Sequence, residues 1–309
     1  MDQRGRYPGP HVSTTIQETG GWGSLSWSRW FRGFEKQVIC EDRLVARGGI
    51  WERGRAGHYN VPGLGSGQKV SGDRVLRWPG AGRVLAGQPG CHSWITDGSR
   101  MMRGSIFVEA IKIRLAVSHT KERAVRGRPH LLQDKLCDLG CPRIESLGHI
   151  LQECPVVARL RVQRHDSLNA VLRMALESRA FTVQLEPTIP TQAGIRRPDL
   201  VFWKGDQAWV VDTTVSADSH GTSMSLVFDR KCAYYNVPDI RYWVTERTGQ
   251  ERISFSAVVM NWRGDLAPRS LALLRMLGIS RSIKLLEIRN MEGSAKMLRF
   301  FRAASGHWG

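Results

Sequence analysis

The stretch 196–215, RRPDLVFWKGDQAWVVDTTV, constrains the fold more tightly than any other part of the chain. Two apolar runs, DLVFW and AWVVDTTV, flank the polar KGDQ. Gly205-Asp206 is a favoured pair for a two-residue hairpin turn. With that turn Lys204 faces Gln207, and pairing outward from there sets Asp199 opposite Asp212. Strand alternation puts Val201, Trp203 and Val210 on one face and Leu200, Phe202, Trp209 and Val211 on the other. Both faces are apolar, so the hairpin needs cover on both sides.

Two aspartates across one ladder place their Cβ atoms about 4.5–5.5 Å apart. Like charges so placed repel unless a proton is shared or a cation sits between them. A divalent metal is the natural guest. Hard oxygen ligands in a basic protein suggest magnesium acting on a phosphodiester. Aspartates at strand ends also serve as caps or solvated termini, the plainer reading. Arg196 and Arg197, beside the first acid, can hold a phosphate. On the expected following helix, Lys231 stands beside Arg230, with Tyr234 and Tyr235 three and four residues on. A lysine near a metal-bound water orients it or stabilises developing charge.

The charge balance points the same way. The 309 residues carry 45 Lys+Arg against 28 Asp+Glu, a formal net charge of +17. Such an excess favours a polyanionic partner through steering and counterion release, and nucleic acid is the leading class. No apolar run is long enough to span a membrane, and the N-terminus lacks the apolar core of a signal peptide. A reducing compartment is therefore expected. Among the six cysteines, three crowd into CDLGCPRIESLGHILQEC. Cys137-x3-Cys141-x7-His149-x4-Cys154 offers three thiolates and an imidazole, the donor set of a closed tetrahedral zinc site. Ile144, Leu147, Ile150 and Leu151 would supply its few apolar contacts. Cys40, Cys91 and Cys232 read as ordinary buried thiols.

The expected organisation has five parts. Residues 1–104 are Gly- and Trp-rich without lasting periodicity, a loosely ordered region. Residues 105–130 form a basic helical linker, with a helix from 106 to about 120 carrying Ile106, Val108, Ile111, Ile113, Leu115 and Val117. The zinc knuckle takes 131–160, and an α/β core takes 161–250. A C-terminal strand and helices take 251–309. Within the core, a helix from 161 with a stripe of Val162, Leu168, Leu172, Ala175 and Leu176 precedes the strand FTVQLEP and the hairpin. A helix over TSMSLVFDRKCAYYN and a strand at IRYWV complete an α-β-β-β-α-β order, which implies a mixed sheet flanked by helices. Beyond it, ISFSAVVMNWRG reads as a strand and APRSLALLRMLGI as a helix opening with proline. Two short helices are expected to close the chain.

In order, the zinc pattern, then Arg164-His165-Asp166, then Arg197-Pro198-Asp199-x12-Asp212, then Lys231 and Tyr235 resemble one family. It is the C-terminal region of the polyproteins of non-LTR retrotransposons with a restriction-like endonuclease, of the ribosomal-DNA-inserting R-two type. The resemblance covers roughly residues 90–309. It implies a PD-(D/E)xK nuclease that nicks double-stranded DNA so that a 3′ hydroxyl primes reverse transcription. By that match Asp199 and Asp212 hold magnesium and Lys231 is the displaced lysine of the motif. The more usual place, two residues after the second acid, is Thr214. Arg164, His165 and Asp166 would bind DNA or shape the site, Glu186 is a weaker candidate for a third acid, and Tyr235 has a supporting role. The resemblance further implies a nuclear location and allows element RNA as a partner. No Tyr-x-Asp-Asp polymerase motif occurs in these residues. The chain is therefore expected to correspond to a region downstream of a polymerase palm. The competing reading is a nucleic-acid-binding module without catalysis, acting through the knuckle and the basic linker.

Overall fold

The computed structural model describes residues 43–46, 49–53, 58–60, 69–71, 94–125, 135–217 and 223–306. Cys40, Cys91, the basic stretch 126–134 and most of the Gly/Trp-rich region expected to be loosely ordered lie outside the described residues. The chain divides into two units, Met1–Lys69 and Val70–Gly309. Short strands β1 (Arg43–Ala46), β2 (Gly49–Arg53), β3 (His58–Asn60) and β4 (Lys69–Ser71) form a sheet in that order. β1 pairs with β2, and β2 with β3, antiparallel.

Among the described residues, the helices of the larger unit begin with α1 (Trp94–Met101), α2 (Gly104–Arg114) and the single turn α3 (Lys121–Ala124). α2 stops at Arg114, short of the expected end near 120, and buries Phe107, Ala110, Ile111 and Ile113. Val117, expected on its stripe, lies beyond the helix and is exposed. The Cys/His segment follows, with a wide helical turn at His149–Glu153 and a tight one at Pro155–Val157. Then comes α4 (Ala158–Glu177). Its apolar stripe is Leu168, Val171, Leu172, Ala175 and Leu176, whereas Val162, expected on that stripe, faces solvent.

The central sheet holds β5 (Thr182–Leu185), β8 (Leu200–Lys204), β9 (Gln207–Ser216) and β10 (Arg252–Asn261), in the order β10-β9-β8-β5. β8 and β9 form the expected hairpin in the expected register, from Lys204 opposite Gln207 to Leu200 opposite Val211. Gly205 turns it with a φ of +62°, a backbone that a residue without Cβ adopts freely. β5 pairs antiparallel with β8, and β10 runs parallel to β9, so the sheet is mixed. A small hairpin of β6 (Ile189–Thr191) and β7 (Gly194–Arg196) stands between β5 and β8.

Between β9 and β10 the chain crosses over through α5 (Met224–Tyr235) and α6 (Pro238–Thr248). α6 corrects the strand expected at IRYWV. Pro238 occupies the first turn, Gly249 closes the helix in the left-handed region, and Ile240 and Val244, four residues apart, bury one face. α7 (Pro268–Met276) begins at proline as expected. The chain ends in one 22-residue helix, α8 (Ile283–Ala304), where two short ones were expected.

Helices cover both faces of the sheet, as the alternation at the hairpin requires. Leu200, Phe202, Trp209 and Val211 pack with Leu168, Leu172, Leu273, Leu274 and Leu286 from α4, α7 and α8. Phe202 and Trp209 stack with ring centroids 5.5 Å apart. On the other face Val201, Ala208 and Val210 pack with Tyr235, Ile240 and Val244 from α5 and α6. The result is the expected mixed sheet between helical layers.

Candidate functional site

The hairpin register carries Asp199 and Asp212 to one end of the sheet, on the face covered by α5. Asp199 precedes β8 directly, and Asp212 follows Val211, the partner of Leu200 on β9. Both are buried, Asp212 at 3% exposure. Three elements converge on them. From α5, Lys231 Nζ lies 2.9 Å from Asp212 Oδ2, and Tyr235 Oη lies 2.9 Å from Asp212 Oδ1 and from the Arg197 carbonyl. From β9 itself, Thr214 donates to Asp212 Oδ2 at 2.8 Å, and the Thr213 amide donates to Asp199 Oδ2 at 2.6 Å. From α4, His165 Nε2 lies 3.1 Å from Asp199 Oδ2 and 3.1 Å from the Thr213 carbonyl.

Both partners of His165 Nε2 are acceptors, so that nitrogen carries the proton. The Asp199 hydrogen bond pushes the imidazole up to about 9, against the opposing effect of burial, so it is charged at neutral pH. Burial, and then the adjacent Asp212 carboxylate, push the Tyr235 phenol upward, so it stays a neutral donor. Each acid therefore has a cation of the protein beside it: His165 for Asp199 and Lys231 for Asp212.

Glu186 takes a left-handed φ of +44°, uncommon for a side chain of this size. Its amide donates to the Asp199 carbonyl at 2.9 Å. Its carboxylate, with those of Asp166 and the ring of His165, offers ligand atoms all within 4.8 Å of one another. Glu186 and Asp166 are exposed at the edge of the acid pair. Arg196 rests its guanidinium 4.3 Å from the centroid of the Tyr234 ring and bonds the Tyr234 carbonyl. Arg197 bonds Thr188 Oγ1 at 3.1 Å, and Arg230 is exposed on α5.

Arg164 is the correction among the expected nucleic-acid contacts. It is 4% exposed, facing away from solvent. Its guanidinium donates to Ser294 Oγ on α8 at 2.9 Å and to the Leu151 carbonyl at 3.3 Å. Its role is to bind α4 to α8 and to the Cys/His segment. Sequence reasoning also passed over Thr214 as an anchor of Asp212, though a hydroxyl two residues from an acid on one strand face was a readable signal.

The Cys/His segment brings Cys137, Cys141, His149 and Cys154 together, all buried, with ligand atoms within 4.8 Å of one another. The cysteines are free thiols. Cys141 Sγ and Cys154 Sγ are 3.8 Å apart. Tetrahedral coordination at about 2.3 Å per zinc–sulfur bond separates sulfurs by about 3.8 Å. Neither ring nitrogen of His149 has a hydrogen-bond partner, and Glu153 Oε2, at 3.9 Å, is too far to serve. Burial pushes the Cys141 thiol up to about 12 and the His149 imidazole down. Buried polar atoms without partners are costly. The donors and spacing of this Cys3His cluster are compatible with zinc. Leu147, Ile150 and Leu151 pack beneath it, while Ile144, expected among them, is exposed. Cys232 is half-buried on α5 rather than fully enclosed.

The mixed four-stranded sheet between helical layers is an α/β, nuclease-like fold. No protein-family model matches the chain. Proteins similar to it are retrotransposon products. The retrovirus-related Pol polyprotein from the type-2 retrotransposable element R2DM of Drosophila melanogaster is 30% identical over 218 residues, 70% of this chain and 20% of that protein. The Pol polyprotein from the type-1 element R2 of Nasonia vitripennis is 29% identical over 221 residues, 69% of this chain and 21% of that protein. One from Popillia japonica is 27% identical over 194 residues, 62% of this chain and 31% of that protein. The chain is thus a homologue of R2 retrotransposon Pol polyproteins, and it spans about a fifth of the length of the first two.

Proposed function

We propose that the chain is a magnesium-dependent DNA endonuclease that nicks a double-stranded target in the nucleus so that reverse transcription can start there. The observation that carries this reading is the convergence of Asp199 and Asp212 with Lys231 at one end of the hairpin. A site of paired carboxylates beside a fixed ammonium suits phosphodiester hydrolysis, where negative charge must be gathered and then stabilised as it grows.

The donor set fits a hard cation. Asp199 and Asp212 bring carboxylate oxygens together at one end of the sheet, the ligand type that magnesium takes. Asp199 and Asp212 would hold magnesium, which supplies charge neutralisation and an activated water when bound. The other groups belong to this chain. Tyr235 and Thr214 fix the Asp212 carboxylate from two sides. Lys231 would release Asp212 and turn its ammonium to the scissile phosphate. Arg196, Arg197 and Arg230 would hold the flanking phosphates as point charges and forks. The Cys3His cluster would take zinc as a structural ion, and element RNA remains a candidate second partner for the basic surface.

The competing reading, a binding module without catalysis, is separated by one assay. Purified protein incubated with supercoiled plasmid and magnesium is expected to give nicked circles, and the Asp212→Ala variant none. A parent protein as silent as the variant, with both retaining plasmid in a gel shift, would establish the binding module instead.

A further inference from the structure

The hairpin β6–β7 enters the chain immediately before the acid site and exposes apolar side chains that no part of the described fold covers. Pro190 and Ile195 are cross-strand partners and so share one face. Both are exposed, Ile195 at 69%. The hairpin is held firmly despite its size. Ile189 is fully buried in the core beneath α5 and α6. At the tip, the Gln192 amide donates to Asp239 Oδ2 of α6 at 2.8 Å, and Thr191 Oγ1 donates to the Gly194 carbonyl at 2.6 Å. At the base, Arg197 bonds Thr188 Oγ1 and Arg196 lies over Tyr234. Tyr234 in turn packs edge-on against Tyr235, centroids 4.9 Å apart, and Tyr235 bonds Asp212. The apolar face is thereby connected through a chain of contacts to the acid pair.

We infer that this face is a wedge for duplex DNA: Ile195, backed by Pro190, enters between base steps while the adjoining arginines take the phosphates. The inference rests on the nuclease reading and names how that site grips its substrate. Charge selects the occupant. Arg196 and Arg197 follow Ile195 directly, and the whole chain carries +17, which suits a polyanion and opposes a basic or apolar protein surface. Apolar side chains inserted from a braced element are a common way to unstack and kink a duplex. The reach is right. Asp199 lies four residue steps beyond Ile195, at most about 14 Å of chain. That is about four base steps at 3.4 Å each, so the wedge opens the duplex beside the phosphate to be cut.

Unstacking untwists DNA, and untwisting can be read without knowing the target sequence. Closed circular plasmid is relaxed by a metal-independent type IB topoisomerase with increasing full-length protein, in buffer without magnesium, and the linking number is measured after protein removal. The wild type is expected to lower the linking number in proportion to protein bound. Ile195→Ala, compared at equal plasmid occupancy by gel shift, should lower it less than a third as much. Met174→Ala, an equally exposed apolar side chain on α4 (70% exposed), should match the wild type. Equal slopes for Ile195→Ala and wild type, or no change in linking number with plasmid fully bound, would overturn the wedge. A parallel incubation with magnesium separates the two ideas. Unwinding without nicking leaves the wedge standing and removes the nuclease; nicking without unwinding removes the wedge alone.

Discussion

Gly293 sits in the middle of α8, where glycine is the second-worst helix former, because of one neighbour. A Cβ there would lie 2.7 Å from Arg164 Cγ and 2.8 Å from Arg164 Cβ. Arg164 cannot retreat, since Ser294 and the Leu151 carbonyl hold its guanidinium. Gly293→Ala gains about 1 kcal/mol of helix propensity and meets an overpacking cost of about 1–3 kcal/mol. The clash should win, lowering the urea midpoint of unfolding. A raised midpoint would mean that α4 and α8 part without penalty. His165 sets a pH dependence of the opposite origin. Its folded pKa, raised to about 9 by Asp199, exceeds its ordinary 6.5. Its contribution to stability is thus complete below the ordinary value and is lost as pH climbs through the folded one. Unfolding of magnesium-free protein should show stability falling from pH 6.5 to 9, and His165→Gln should flatten that fall. Parallel slopes for the two proteins would contradict the pairing.

At the scale of elements, the Cys/His segment is joined to the sheet domain by arginines of α4. Arg161 donates to the Cys154 carbonyl at 2.6 Å, and Arg164 to that of Leu151. Structural zinc in such clusters contributes on the order of 10 kcal/mol to folding. Stripping the metal with a strong chelator should therefore open 137–154 to protease within minutes while residues of the central sheet stay protected. An uncut segment after complete chelation would show that packing alone holds it. The elements that sequence made readable are those with local rules. The Gly205-Asp206 turn fixed the hairpin register, and the cysteine spacing fixed the cluster. IRYWV misled because a short run rich in β-branched and aromatic residues imitates a strand, while the decisive signals, Pro238 ahead and Gly249 behind, lay outside it. The single long α8 was hidden by Gly293, which serves a contact 129 positions away in sequence.

On the scale of the whole molecule, the layered α/β form followed from one hairpin with two apolar faces. The site did not follow so directly. Asp199 and Asp212 were placed by local register, but His165, Lys231 and Tyr235 come from α4 and α5, and only tertiary packing brings them in. The fold supplies His165 and Lys231 as partners of the two acids, which local sequence does not show. Arg164 is a basic residue in a basic chain that turns inward to hold the body together. The central claim is the proposal that the acid pair shares a divalent cation. Manganese, which stands in for magnesium and is visible by electron paramagnetic resonance, tests it directly. Titrated into zinc-loaded protein with a short duplex, the wild type should bind about one manganese beyond the DNA background, and Asp199→Asn and Asp212→Asn should each bind none. Retention of that ion when either acid is neutralised would contradict the account.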